Sequence, residues 1–264
     1  MNVSLSDPTP NESPTSKRRW FSFGLRTLMM LMLIIGCGLA WIASERRKNE
    51  KLQADFVGIR KLGASITFDI EKPIRPKWLQ WILGDDSYQN VKTLSLWMNR
   101  VSDDGLKHLV GFVNLKSLDL METNVSDSNL GYLKGLTNLE ELLLSETKVT
   151  DSGIDDLKLL TNLEILWLSD TQVTDAGLER LTGLTKLRTL ILDRTQVTDS
   201  GLEHLTRLTK LEMIGLRNTQ VTDAGLEHLK GLTKLRNLYL ENAKVTALGI
   251  ERFKKSRPNC YLER

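Results

Sequence analysis

Four aspartates, Asp151, Asp175, Asp199 and Asp223, recur at 24-residue intervals, each directly after a threonine and two places before a glycine. Carboxylates in such register could ligate a metal or move protons. The chain's three histidines, His108, His204 and His228, also share one place in that period, and Glu203 and Glu227 stand beside the last two. Plainer readings compete with both patterns. Thr150, Thr174, Thr198 and Thr222, with Ser102 and Ser126 before them, suit helix N-caps, and the aspartates then place negative charge at the positive end of each helix. The histidines lack compact ligand spacing and sit among charged neighbours on what reads as a solvated outer helical face. Gly105, Gly153, Gly177, Gly201, Gly225 and Gly249, replaced once by Asn129, mark either a backbone at positive φ or a close approach between repeats.

The rest of the chemistry-bearing inventory is thin. Cys37 and Cys260 lie far apart, which excludes a disulfide framework. The sequence holds no Gly-rich phosphate loop, nucleophile elbow or paired-Cys motif. It predicts no enzyme, no cofactor and no metal site, so function is expected on a surface. Charge narrows the class of surface. The net +3 of the 264 residues divides into +4 for residues 1–90 and −1 for residues 91–264, so the larger part is not a nucleic-acid binder by charge.

The elements that must position such a surface come from a repeat. At a period of 24, Val91, Leu115, Leu139, Leu163, Leu187, Leu211 and Leu235 fall in one column, and Leu94, Leu118, Leu142, Leu166, Leu190, Ile214 and Leu238 in the next. Leu96 to Leu240 form a third column, Val101 to Val245 a fourth, and Leu106 to Ile250 a fifth, with no insertion between residues 91 and 254. Each of the seven repeats offers a strand and a helical turn that cannot bury their apolar faces alone and must stack on their neighbours. The units, for example "LEILWLSDTQVTDAGLERLTGLTK" (163–186), resemble the leucine-rich repeat, whose L-x-x-L-x-L strand signature they match. The resemblance implies an α/β solenoid, right-handed, with a parallel inner sheet and short outer helices. Where that signature carries Asn or Cys, the chain has Asn99, then Thr123, Thr147, Thr171, Thr195 and Thr219, then Ala243. A buried ladder there would be made of hydroxyls.

Upstream, Thr27 to Ser44 is a run of 18 residues without a charge, bracketed by Lys17, Arg18, Arg19 and Arg26 before it and Arg46, Arg47, Lys48 and Lys51 after it. At about 1.5 Å per residue this run and its apolar neighbours just cross a hydrocarbon core of about 30 Å. A cleaved signal peptide ending at residues 38–40 and a lipidated Cys37 compete with an uncleaved single-pass anchor. Because the apolar run continues past both points, the anchor is preferred. The basic flanks are nearly symmetric and leave the side of the membrane open. The expected organisation is a polar and basic tail (1–24), a transmembrane helix (25–44), a juxtamembrane helix and cap (45–90), the leucine-rich repeats (91–258) and a capping strand (259–264). Within the cap, Leu52, Phe56, Ile59 and Leu62 share a helical face that stops at Gly63, "ASITFDI" alternates like a strand, and Pro76 opens a short helix.

Strand alternation then locates a surface. Side chains between the strand leucines point away from the core, and that column reads Ser95, Asp119, Leu143, Trp167, Ile191, Gly215 and Tyr239, with Ile165 and Met213 two places earlier. With strands about 4.8 Å apart, Leu143, Trp167 and Ile191 should lie side by side on the concave face. The candidate partner-binding set is Leu143, Ile165, Trp167, Ile191, Met213, Tyr239, Arg194 and Arg217, flanked by Glu122, Glu146, Asp170 and Asp193. The whole chain resembles bacterial membrane-anchored leucine-rich-repeat proteins, with "RRWFSFGLRT" and "IRKLGASITFD" as supporting matches. Its units are also similar to those of F-box leucine-rich-repeat receptors, without F-box helices in residues 1–90. The resemblance implies a membrane-tethered, non-catalytic module for a protein partner; an adhesion or envelope-structural protein and a ubiquitin-ligase-type adaptor are the alternatives.

Overall fold

Burial along residues 91–245 follows the 24-residue period closely: no member of the first four apolar columns is more than 3% exposed. The computed structural model describes residues 25–68, 77–84, 89, 91–101 and 105–264. Two compact units divide the chain, Met1–Ala43 and Ser44–Arg264. Pro76 and Ser102, read above as a helix start and a cap, lie outside the described residues.

Helix α1 (Leu25–Lys61) runs through the apolar segment and into the second unit. Leu28 to Ile35, Leu39 and Trp41 are exposed along it, and by length and composition it can cross a membrane. Beyond Ser44 the helix is amphipathic: Leu52 and Ile59 enter the core of the repeats, with Phe56 and Leu62 packed at its edge. It ends at Gly63, whose φ of +85° only glycine adopts freely. Strand β1 (Ser65–Phe68) and helix α2 (Lys77–Leu83) follow.

Each repeat then contributes one short strand: β2 (Val91–Ser95), β3 (Ser117–Asp119), β4 (Glu141–Leu143), β5 (Ile165–Trp167), β6 (Thr189–Ile191), β7 (Met213–Gly215) and β8 (Asn237–Tyr239). A last strand, β9 (Tyr261–Glu263), sets Leu262 opposite Leu238 beyond the buried Cys260. All nine strands form one sheet in chain order, with β1 antiparallel to β2 and every later pair parallel. The register advances by 24 residues per strand, so Leu118, Leu142, Leu166, Leu190 and Ile214 stack directly. Short helices return the chain on the other side: a 3₁₀ turn at Gly105–Leu109 in the first repeat, then α3 (Asp127–Leu130), α4 (Asp151–Leu157), α5 (Asp175–Arg180), α6 (Asp199–His204), α7 (Asp223–Leu229) and α8 (Ala247–Ser256). The result is a leucine-rich-repeat solenoid with a parallel sheet and short helices, as the apolar columns require.

The sequence gives no hint of one backbone feature. Met98, Glu122, Glu146, Asp170, Arg194, Asn218 and Asn242, again 24 apart, all have φ between 54° and 58°. Left-handed backbone costs a non-glycine residue about 1–2 kcal/mol, and only Asp170, Asn218 and Asn242 are of types that tolerate it well. From Met98 to Asn218 the turn is held because the N–H then reaches the next repeat: Asp170 N donates to Asp193 O at 2.9 Å and Arg194 N to Arg217 O at 2.7 Å. The hydrogen-bonded ladder thus continues past the three-residue strands and offsets the strain.

Candidate functional site

The aspartate column is structural, and it does more than cap helices. Thr150, Thr174, Thr198 and Thr222 do accept the N–H two residues on, at 3.2–3.3 Å. The preceding repeat's aspartate, in turn, grips each threonine twice. Thr198 donates its N–H to Asp175 Oδ1 at 2.8 Å and its hydroxyl to Asp175 Oδ2 at 2.6 Å, and Asp127, Asp151, Asp199 and Asp223 hold Thr150, Thr174, Thr222 and Thr246 in the same way. The Thr246 hydroxyl and then its N–H hold the Asp223 carboxyl below the usual carboxylate range. The glycine column serves this bridge. A Cβ at Gly201 would lie 2.4 Å from Asp175 Oδ1, and Gly153, Gly177, Gly225 and Gly249 face their own aspartates as closely. Close approach, not positive φ, explains these glycines.

The threonines in the Asn/Cys column also bond, but within their own repeat. Thr123, Thr147, Thr171, Thr195 and Thr219 are buried, and each donates its hydroxyl to the carbonyl three residues earlier at 2.6–2.7 Å. They pin the tight turn after each strand.

The histidine column splits. The expectation of a solvated face fails for His108, whose Nδ1 lies 2.9 Å from Asp55 Oδ1 on α1 and whose ring lies where a Cβ at Gly58 would be. His108 docks α1 on the first repeat, and buried Asn49 ties α1 to α2 and to the segment before β2, donating to Leu83 O at 2.8 Å and accepting from Gln89 at 2.7 Å. The two partners in the His108 contact are 53 residues apart, so no local pattern announces them. Among the described residues no three His, Cys, Asp or Glu side chains converge to hold a metal ion. Burial raises the Cys260 thiol pKa and keeps it protonated.

The open face of the sheet carries the remaining candidates. Leu143 on β4 is paired with Trp167 on β5, and Trp167 with Ile191 on β6, which makes a row three strands wide. Trp167 is 36% exposed, and Leu143 and Ile191 are half-buried. On the second row Ile165 lies between Glu141 and Thr189, and Met213 lies beyond Thr189, so these two apolar side chains do not touch across neighbouring strands. Gly215 interrupts the first row before Tyr239. A side chain at Gly215 would meet Asp193 Oδ1 at 2.7 Å, and Asp193, almost fully buried, uses that oxygen to accept the Arg217 N–H at 2.9 Å.

Arg194 and Arg217 are engaged within the chain. Arg194 Nε lies 2.7 Å from both oxygens of Asp170. The Arg217 guanidinium sits 4.3 Å from the Tyr239 ring centroid and within 4 Å of Asp193, Glu241 and Glu263. Two further surface aromatics are Trp97 and Tyr261. Trp97 is half-exposed and donates its indole N–H to Glu122 at 3.0 Å, while Tyr261 continues the row of Ile165, Thr189, Met213 and Asn237. The alternation that places Trp167 on the open face places Tyr261 there as well, with Leu262 stacked on Leu238.

Comparison with known proteins agrees with this architecture. Residues 160–181 and 183–205 match the Leucine Rich repeat family. Among solved structures, an internalin (inlF) from Listeria monocytogenes superposes with a TM-score of 0.52 at 21% identity, covering 67% of this chain and 55% of that one, so the chain spans about half the internalin's length. An internalin C2 (inlC2) from the same organism is 24% identical, with a TM-score of 0.48 over 66% of this chain and 80% of that one. The likeness to the internalin (inlF) is of fold alone. No curated protein matches the sequence.

Proposed function

We propose that the chain is a non-catalytic, membrane-tethered module that captures a protein partner on the concave face of its repeats. One observation carries this reading: Leu143, Trp167 and Ile191 form a contiguous, partly exposed apolar row across three strands whose other outward positions are mostly polar. Single exposed apolar residues are ordinary, whereas a contiguous group containing a tryptophan has the composition of an interface centre. Ile165, Met213 and Tyr239 extend the surface, and Arg194 and Arg217 form its charged border. The tether is the apolar part of α1, exposed along its length and able to span a membrane by length and composition.

Partner capture from native membranes tests the site. Trp167→Ala and Ile191→Asp should each weaken capture by at least about 2 kcal/mol, and Glu179→Ala on the helical side should leave it unchanged. Full capture by both sheet-face variants, with loss in a helical-side variant, would move the site to the other surface. The tether has its own test: the intact protein should stay with membranes in high salt, which screens the basic flanks but not the apolar span. Release by salt alone would refute it.

A further inference from the structure

The charges on the sheet face divide unevenly along the solenoid. From the fourth repeat onward, Asp170 has Arg194, Glu164 and Glu212 have Arg188, and Asp193, Glu241 and Glu263 share Arg217. In the second and third repeats Lys116 pairs with Glu140, but Asp119, Glu122, Glu141 and Glu146 make no ion pair among the described residues. Asp119 accepts from Ser95 Oγ and the Met121 N–H, Glu141 from Ser117 Oγ, and Glu122 from the Trp97 indole. Neutral donors orient these carboxylates but leave their charge in place. Register puts this charge beside the apolar surface: Asp119 is paired with Leu143 of the apolar row, and Glu141 with Ile165 of the second row.

Neighbouring carboxylates on a sheet repel one another at a cost to stability, and here no ion pair among the described residues neutralises them, although Glu146 lies within the field of Arg194. A partner that covers Leu143, Trp167 and Ile191 must also cover or border these four groups, and it binds well only if it meets them with opposite charge. Resting on the concave-face reading above, we infer that the partner is a protein surface presenting lysine or arginine beside an apolar anchor. The anchor sits on Leu143–Trp167–Ile191, and the basic groups lie over Asp119, Glu122, Glu141 and Glu146. The same field repels nucleic acid and anionic lipid. Glu122 and Glu146 are exposed and Asp119 and Glu141 half-buried, so these carboxylates act mainly on orientation and on association rate, which should fall as salt rises.

Selection of short random peptides displayed on phage against the full-length protein in nanodiscs tests the inference. The wild type should enrich peptides with Lys or Arg close to an aliphatic or aromatic residue several-fold over their frequency in the library. A Glu122→Lys, Glu141→Lys, Glu146→Lys variant with an unchanged melting curve should lose that excess and favour Asp or Glu. Trp167→Ala should bind neither set. Peptides that need Trp167 but show no basic excess, or an unchanged preference in the triple variant, would overturn the charge inference and leave the concave reading standing. Selected peptides that bind Trp167→Ala undiminished, or no enrichment on the wild type, would overturn both.

Discussion

The helix-capping edge of the solenoid and the open face of its sheet are made by the same repeats and treat their residues in opposite ways. Along the edge, Asp127, Asp151, Asp175, Asp199 and Asp223 each perform the same bridge to the next threonine across a glycine or its equivalent. Along the face, one row runs Ser95, Asp119, Leu143, Trp167, Ile191, Gly215 and Tyr239, no two neighbours alike. Stacking imposes the first pattern, because every interface between repeats faces the same geometry and is satisfied by the same groups. Nothing in the stacking imposes the second. Regularly spaced carboxylates look like chemistry in this chain and are architecture, whereas the irregular row is where a specific surface can be written.

The sharpest way to break the comparison uses two adjacent residues. Leu168 is fully buried in the sheet of a central repeat, so Leu168→Ala should cost about 2–5 kcal/mol in denaturant unfolding. Trp167→Ala removes a larger side chain, yet it should cost less than the same change at Leu168, because the indole is 36% exposed and its burial is against the sheet surface. Equal or reversed costs would place Trp167 in the core and end the distinction between face and interior.

The bridge along the edge comes next. Asp175→Ala strips the acceptor from the N–H and hydroxyl of Thr198 and should cost about 1–3 kcal/mol. Gly201→Ala drives a methyl group against Asp175 Oδ1, with a similar expected cost of about 1–3 kcal/mol. Because both act on one contact, the double variant should cost less than the sum; strictly additive values in a double-mutant cycle would show that the glycine serves something other than the bridge. A smaller loss of about 0.5–1.5 kcal/mol is expected for Thr171→Ala, which deletes a single buried hydrogen bond to Leu168 O. A neutral result would reduce that threonine column to simple packing.

The smallest effect is a pH dependence. The folded pKa of Asp223 is depressed, so its contribution is complete above the unfolded carboxylate value of about 3.9 and is lost as pH falls through the lower folded value. Thr246→Val removes the hydroxyl that contributes most to the depression. Stability of that variant should therefore fall less steeply with pH below about 4 than that of the wild type, as read from urea midpoints across the acid range. Parallel slopes would separate Asp223 from acid sensitivity.

Much of this was legible in the residues. Apolar columns at a fixed period specify core positions, and alternation about Leu166 and Leu168 fixes the side to which Trp167 points, because a one-residue slip would turn both leucines outwards. Such patterns are local and are repeated seven times, so the sequence by itself determined the solenoid, its register and the composition of the open face. What only the tertiary structure decided lies between segments distant in the chain. The threonine that receives each aspartate is 23 residues away, and the use of the glycines as gaps for those carboxylates follows from how closely repeats stack. Asp55 reaches His108 only after α1 has docked. Arg217 sits among Asp193, Glu241 and Glu263 while Glu122 is met by the neutral Trp97 indole, a division that depends on side-chain reach across strands about 4.8 Å apart. Left-handed turns at Glu122, Glu146 and Arg194 also escape a reading by residue type, because the tertiary hydrogen bond to the next repeat, not local preference, holds them there.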